Sequence, residues 1–171
     1  MKTLWWIIGG LVAIAITTGA TMTTIKIINL VNSLPKGKGA YKKRKLSDVT
    51  GIVIHHSASD IGGPVDFANW HIKRGWPGIG YHFVILPDGT VNQTNELDTV
   101  SFHVANKNTP NIGICLVGNL SHHLPTSMQL SSLKELIAHI NNAFGRHLVV
   151  RGHRDLQATE CPGLLMKLPL K

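Results

Sequence analysis

His55, His56, His153 and Cys161 are the side chains of this sequence whose types and positions best suit a metal ion. The two adjacent histidines close the apolar run Gly51 to His56, and His153 follows a second apolar run, Leu148 to Arg151, after one glycine. Both runs have the length and the Val/Ile content of buried strands. Side chains at strand ends converge on a common sheet edge, so histidines remote in the chain can meet there. Cys161 lies further on in TECPG, where Pro162 and Gly163 put the chain into a turn. A borderline-soft Zn²⁺ accepts two imidazoles and one thiolate and keeps a fourth position open for water.

The plainer readings of these residues stand beside that one. The chain has 10 histidines, and most histidines are surface or hydrogen-bonded core residues. A lone cysteine is more often a small buried hydrophobe. Cys161 as an attacking thiolate paired with a histidine also stays open, although no spacing favours it. HExxH and paired CxxC are absent, which removes the helix-borne peptidase site, the structural finger and the deaminase.

The elements that must position these residues can be read from the apolar pattern. Between the two histidine-bearing strands, Pro64 to Arg74 suits a helix with proline in its first turn, ended before Gly75. Tyr81 to Leu86 and Thr90 to Gln93 flank Pro87, Asp88 and Gly89, a hairpin signal. Asn111 to Val117 reads as a further buried strand. Thr126 to Phe144 spaces Leu130, Leu133, Ile137, Ile140 and Phe144 as a helix does, with Gly145 beyond its end as a cap. The expected fold is α/β, a mixed central β-sheet flanked by helices, with an apolar helix at the N-terminus.

Charge divides the chain in two. Of 17 basic residues, those from Lys2 to Lys45 share their stretch with no acid, while from Leu46 onward bases and acids balance. Basicity therefore belongs to a leader and a linker, and a nucleic-acid-binding domain, which needs a basic face on the folded body, loses its support. Two cysteines exclude a disulfide framework. Residues 1–25 are expected to be a signal peptide or a transmembrane anchor, since Thr3 to Ile25 carry no charge. Residues 26–45 are expected to form a basic linker and 46–171 the catalytic domain. The leader implies a membrane partner and a location anchored in the membrane or exported to the periplasm or cell envelope. Against the anchor, the basic flank that follows would favour the cytoplasmic side.

Four strings, IVIHHSAS, RGWPGIGYHFVILPDGTV, FHVANKNTPNIGICLVGN and VVRGHRDLQATECPG, come in an order that resembles the N-acetylmuramoyl-L-alanine amidase family. That family is shared by bacteriophage lysozyme-like amidases and animal peptidoglycan recognition proteins. The resemblance covers nearly all of residues 49–165. It implies hydrolysis of the amide bond between N-acetylmuramic acid and L-alanine of peptidoglycan by a zinc-activated water. On the matching positions it makes His55, His153 and Cys161 zinc ligands. Tyr81 corresponds to the tyrosine whose hydroxyl faces the reacting carbonyl, and His103 and Asn108 to the loop residues that contact the muramyl-peptide. Thr159 stands where phage members carry lysine and catalytic recognition proteins often carry threonine. Its hydroxyl can hydrogen-bond an oxyanion without supplying the lysine charge. Cys115 replaces the glutamate of the cytoplasmic recycling subtype, so that subtype is not expected.

Apart from the resemblance, Tyr81 alternates with His82 and Phe83 and can simply pack. Asp155 either orients a histidine or caps a turn, while His122 and His123 read as solvated. The competing function is a recognition module that binds peptidoglycan without cutting it. The presence of Cys161 argues for the enzyme.

Overall fold

The computed structural model describes residues 25–167. The apolar leader expected before them lies outside the described residues, and among these no helix is long and apolar enough to cross a membrane. In chain order the elements are β1 (Ile27–Asn29), β2 (Lys42–Lys43), β3 (Gly51–His56), α1 (Pro64–Lys73), β4 (Phe83–Ile85), β5 (Val91–Gln93), β6 (Thr99–Val100), β7 (Asn111–Leu116), α2 (Ser127–Phe144) and β8 (Val149–Gly152). Short 3-10 turns occupy Leu46–Asp48 and His153–Asp155.

Six strands form one sheet in the order β1-β5-β4-β7-β3-β8, and β2 pairs with β6 in a separate two-stranded ribbon. All neighbours in the large sheet run parallel except β4 and β5, which the turn at Pro87 to Gly89 makes antiparallel. β3 and β7 are buried at every position. That is why both read as unbroken apolar runs: parallel strands at the centre of a covered sheet have no wet face.

Alternation then divides the core. Ile52, Ile54, Ile112, Ile114 and Leu116 turn to one face and meet Leu133, Leu136, Ile137 and Ile140 of α2. Val84, Cys115 and Val117 turn to the other and meet Phe67 and Ala68 of α1. Each isoleucine or leucine so buried contributes roughly 1.5–3 kcal/mol relative to exposure. Cys115, fully buried here, is a packing residue. The helix ends are set locally. In α2 the Thr126 hydroxyl accepts from the Gln129 amide while the Gln129 side chain accepts from the Thr126 amide. Gly145 closes that helix with φ +60°. In α1 the Asp66 carboxylate accepts from the Gly63 amide, and Pro64 takes the first position, where its missing N–H costs nothing.

The hairpin strand is shorter than the expected Tyr81 to Leu86. Side chains occupy its first carbonyl: Thr94 Oγ1 and Asn95 Nδ2 both donate to the Tyr81 oxygen. Backbone pairing therefore begins later, and Tyr81 is held by side chains at the mouth of the sheet.

Residues 26–45 correct the expectation of a solvated linker. β1 adds a parallel strand beside β5, Leu34 is buried, and the Tyr41 hydroxyl donates to the carbonyl of Gly78. Arg44 goes furthest, at 9% exposure. Its Nε and Nη2 donate to Leu97 O, and its Nη1 to the carbonyls of Asn108, Thr109 and Asn111. Burial lowers its pKa to about 10, so it remains a cation. Charge counting along the sequence cannot separate such a residue from its lysine neighbours, because the carbonyls that receive it come from a loop far downstream.

Removing this guanidinium leaves several inward carbonyls without a donor. Arg44→Met is expected to cost about 3 kcal/mol or more in urea unfolding, and Arg44→Lys to recover only part, since an ammonium cannot span the fork. Lys43→Met, in an exposed pair with Asp98, is expected to cost about 1 kcal/mol at most. Equal losses at positions 43 and 44 contradict this account of the arm.

Candidate metal centre

The pairing of β3 with β8 brings the histidines together. Their register runs Gly51↔Val149 to Ile54↔Gly152, so one further step sets His55 beside His153. The two rings lie 4.6 Å apart between centroids. Cys161 returns to the same point because the Arg154 amide donates to the Cys161 carbonyl at 2.7 Å. Behind it, Gly163 has φ +103° and is packed so closely on Leu120 that a Cβ would lie 2.3 Å from the carbonyl carbon. Only glycine fits that crossing. The ligand atoms of His55, His153 and Cys161 all lie within 4.8 Å of one another.

Sγ of Cys161 is 3.6 Å from Nδ1 of His55 and accepts from the His56 amide at 3.4 Å. Burial pushes the Cys161 thiol up to about 11 and drives His55 well below the ordinary histidine range, with His103 and His153 adding to the shift. Both directions disfavour a free thiolate–imidazolium pair, so the nucleophilic-cysteine reading loses its footing. They also fit a divalent cation, which needs neutral imidazoles and supplies the charge that stabilises a thiolate. The donor set therefore suits zinc: two nitrogens, one sulfur and no carboxylate.

The remaining expected residues fall into two groups. Tyr81 joins the centre, its ring 5.4 Å from that of His55 and 5.5 Å from that of His71. Burial raises its hydroxyl well above the ordinary tyrosine range, with Cys115 and Cys161 adding to the shift, so it stays a proton donor. Thr159 is exposed two residues before Cys161, its Oγ1 accepting from the Cys161 amide at 3.2 Å. His103 and Asn108 do not face the open side. His103 is 7% exposed and spends its ring nitrogens on His55 Nε2 and Asn111 O. Asn108 Oδ1 accepts from the amides of His103 and Val104. Both hold the interior of their loop, so the expected muramyl-peptide contact has no free ring nitrogen at His103.

Of the neighbours, His71 and Gln157 carry no sequence signal of their own. His71 accepts from the Gly80 amide, stacks on Trp76 and flanks Tyr81. Gln157 Oε1 accepts from His153 Nε2 at 3.0 Å, and His56 Nδ1 accepts from the Leu120 amide. Asp155 caps its turn at the Gly152 amide. His123 pairs with Asp60 at the surface. A small cavity of about 90 Å³ opens beside Tyr81, lined by Ser57, Phe67, Trp70, His71 and Arg74.

With this geometry in view, the N-acetylmuramoyl-L-alanine amidase family model matches residues 45–164. The chain belongs to that family. It is 31% identical to the endolysin of Klebsiella phage KP32 over 134 residues, 72% of this chain and 86% of the relative. It is 32% identical to peptidoglycan-recognition protein SC2 of Drosophila melanogaster over 142 residues, 74% of this chain and 76% of the relative. Among solved structures, the amidase LysC from Clostridium intestinale superposes with a TM-score of 0.70 at 30% identity, covering 82% of this chain and 90% of that one. Membership carries peptidoglycan amidase activity. The same relatives correct the expected location: the amidase matches phage endolysins, and nothing in those matches or in the described helices upholds a membrane-anchored or exported form or a membrane partner.

Buried neutral histidines tie stability to pH. His71 is lowered by burial to about 4 and His103 to about 3, and His82 lies well below its ordinary range. A histidine with a depressed folded pKa contributes fully above its unfolded value near 6.5 and loses that contribution as pH falls toward the folded value. Metal-free amidase is thus expected to lose on the order of 1–2 kcal/mol per such histidine between pH 7 and 5. A melting temperature that stays flat over that interval contradicts the burial of neutral rings.

Proposed function

We propose that the amidase acts with zinc held by His55, His153 and Cys161 and cleaves the bond between N-acetylmuramic acid and L-alanine. The convergence of two imidazoles and one thiol where β3 and β8 end carries this reading. When bound, zinc supplies Lewis-acid chemistry, lowering the pKa of a water from about 16 toward about 7 and polarising the reacting carbonyl. The chain's own residues do the rest. Tyr81, protonated and fixed through the Thr94 and Asn95 bonds to its carbonyl, donates to the oxygen that gains charge. Thr159, whose Oγ1 accepts from the Cys161 amide, is the second donor in this reading. Gln157 holds the His153 ring by its outer nitrogen, as the partners of metal-bound histidines do. The aromatic cavity beside Tyr81 is the reading's place for the stem peptide.

Incubating the protein with peptidoglycan and measuring newly exposed L-alanine amino termini, with zinc content in parallel, tests the proposal. Release is expected to stop with a chelator and return with zinc. Cys161→Ala is expected to lose both the metal and turnover while keeping its fold, because the side chain is partly exposed. Full turnover in that variant would sink the metal site. Tyr81→Phe is expected to keep zinc and to lose about 10²–10³ in kcat; an unchanged kcat removes the hydroxyl from the reaction. Tight binding of peptidoglycan by the zinc-loaded wild type without release of amino termini would instead mark a recognition module.

A further inference from the structure

His103 is buried against the metal centre on the side away from solvent. Its ring meets that of His55 edge-on, with centroids 5.2 Å apart and planes at 87°. It also lies on Gly113, where a Cβ would come within 2.7 Å of its Cγ. The hydrogen bonds around it determine where the protons sit. Nε2 of His103 is 3.2 Å from the Asn111 carbonyl oxygen, which can only accept, so Nε2 carries the proton. No acid contacts the ring, which meets His55, His82, Gly113 and the Asn111 carbonyl. A neutral imidazole has a single N–H, so Nδ1 of His103 is an acceptor. Across from it at 3.1 Å stands Nε2 of His55, which must then be the donor. His55 is left with a bare Nδ1, and that is the atom facing the Cys161 sulfur.

We propose that His103 is a positioning residue that sets the tautomer of His55, so that Nδ1 of His55 is presented to the cation, and that Arg44 anchors this relay through the Asn111 carbonyl. Arg44 Nη1 lies 2.7 Å from that oxygen, which therefore receives a guanidinium proton on one lone pair and the His103 proton on the other. The segment before the family match thus reaches the metal through four residues: Arg44, Asn111, His103 and His55. The proposal rests on the zinc reading above and adds to it a residue that touches neither metal nor substrate.

Long-range ¹H–¹⁵N spectra of the imidazoles in metal-free, ¹⁵N-labelled wild-type protein test the relay directly. Both His55 and His103 are expected as Nε2–H tautomers, and an Nδ1–H tautomer at His55 overturns the proposal. Zinc affinity, measured by chelator competition, supplies the second arm. His103→Leu removes the acceptor and is expected to weaken zinc about 10–100-fold. His103→Asn, whose Oδ1 falls near the position of Nδ1, is expected to stay within about threefold of wild type. A leucine variant as tight as wild type, or an asparagine variant as weak as leucine, contradicts the relay. Should the leucine variant not fold, the wild-type spectrum and the asparagine affinity still decide it. Wild-type protein that takes up no zinc overturns the metal reading, and the tautomer spectrum separates that outcome from failure of the relay.

Discussion

Everything at the metal centre depends on the parallel pairing of β3 and β8. Parallel strands in register carry equivalent positions side by side, so the step after Ile54↔Gly152 sets His55 against His153 without any special loop. A slip of one residue would turn the entire strand over and send His55 into the α2 core, where Ile54 now sits. The apolar alternation of β3 forbids that slip, because Ile52 and Ile54 would have to face the α1 side. Packing of the α2 core therefore also fixes which side chain arrives beside His153 and Cys161. Stability and ligand placement share one cause, the burial of one face of the central strands.

The electrostatics of the centre follow from what is missing around it. No carboxylate takes part among the described residues, and burial holds His55, His82 and His103 below the ordinary histidine range. A cation entering such a site meets dipoles and one ionisable sulfur, so its charge is met mainly by the thiolate. Buried Arg44 obeys the same logic from the opposite side. It has no carboxylate partner in its hydrogen-bond set and is solvated by carbonyls instead, which spread its charge over the loop that carries His103.

The relation to phage endolysins and to a Drosophila recognition protein has a physical counterpart. The sheet register, the helix caps and the Gly163 crossing over Leu120 deliver the three ligands whichever lysine, threonine or other residue stands at position 159. Chemistry near the reacting carbonyl can vary on a scaffold whose ligands are set by strand pairing. In this chain position 159 carries a threonine hydroxyl, and the roles proposed for it and for the Tyr81 phenol require fixed orientations. The Thr94 and Asn95 bonds hold the Tyr81 backbone, and the Cys161 amide holds Thr159 Oγ1.

The sequence by itself determined the central strands and both helices, since their apolar periods, the Thr126 and Gly145 caps and Pro64 act over a few residues. It also brought out His55, His153 and Cys161 as candidate ligands, through the order of four motifs that resembles the amidase family. Only the tertiary structure decided the state of residues 26–45: whether a basic stretch is solvated depends on carbonyls supplied from residues 97–111, which local composition does not record. The direction of His103 was decided in the same way, turned inward because Gly113 leaves room for its ring and Asn111 accepts its proton. Contacts made between neighbours in the chain can be read from their order. The partner of a long side chain, by contrast, is chosen by the folded arrangement of segments far apart, and that choice set Arg44 on the Asn111 carbonyl and His103 behind His55.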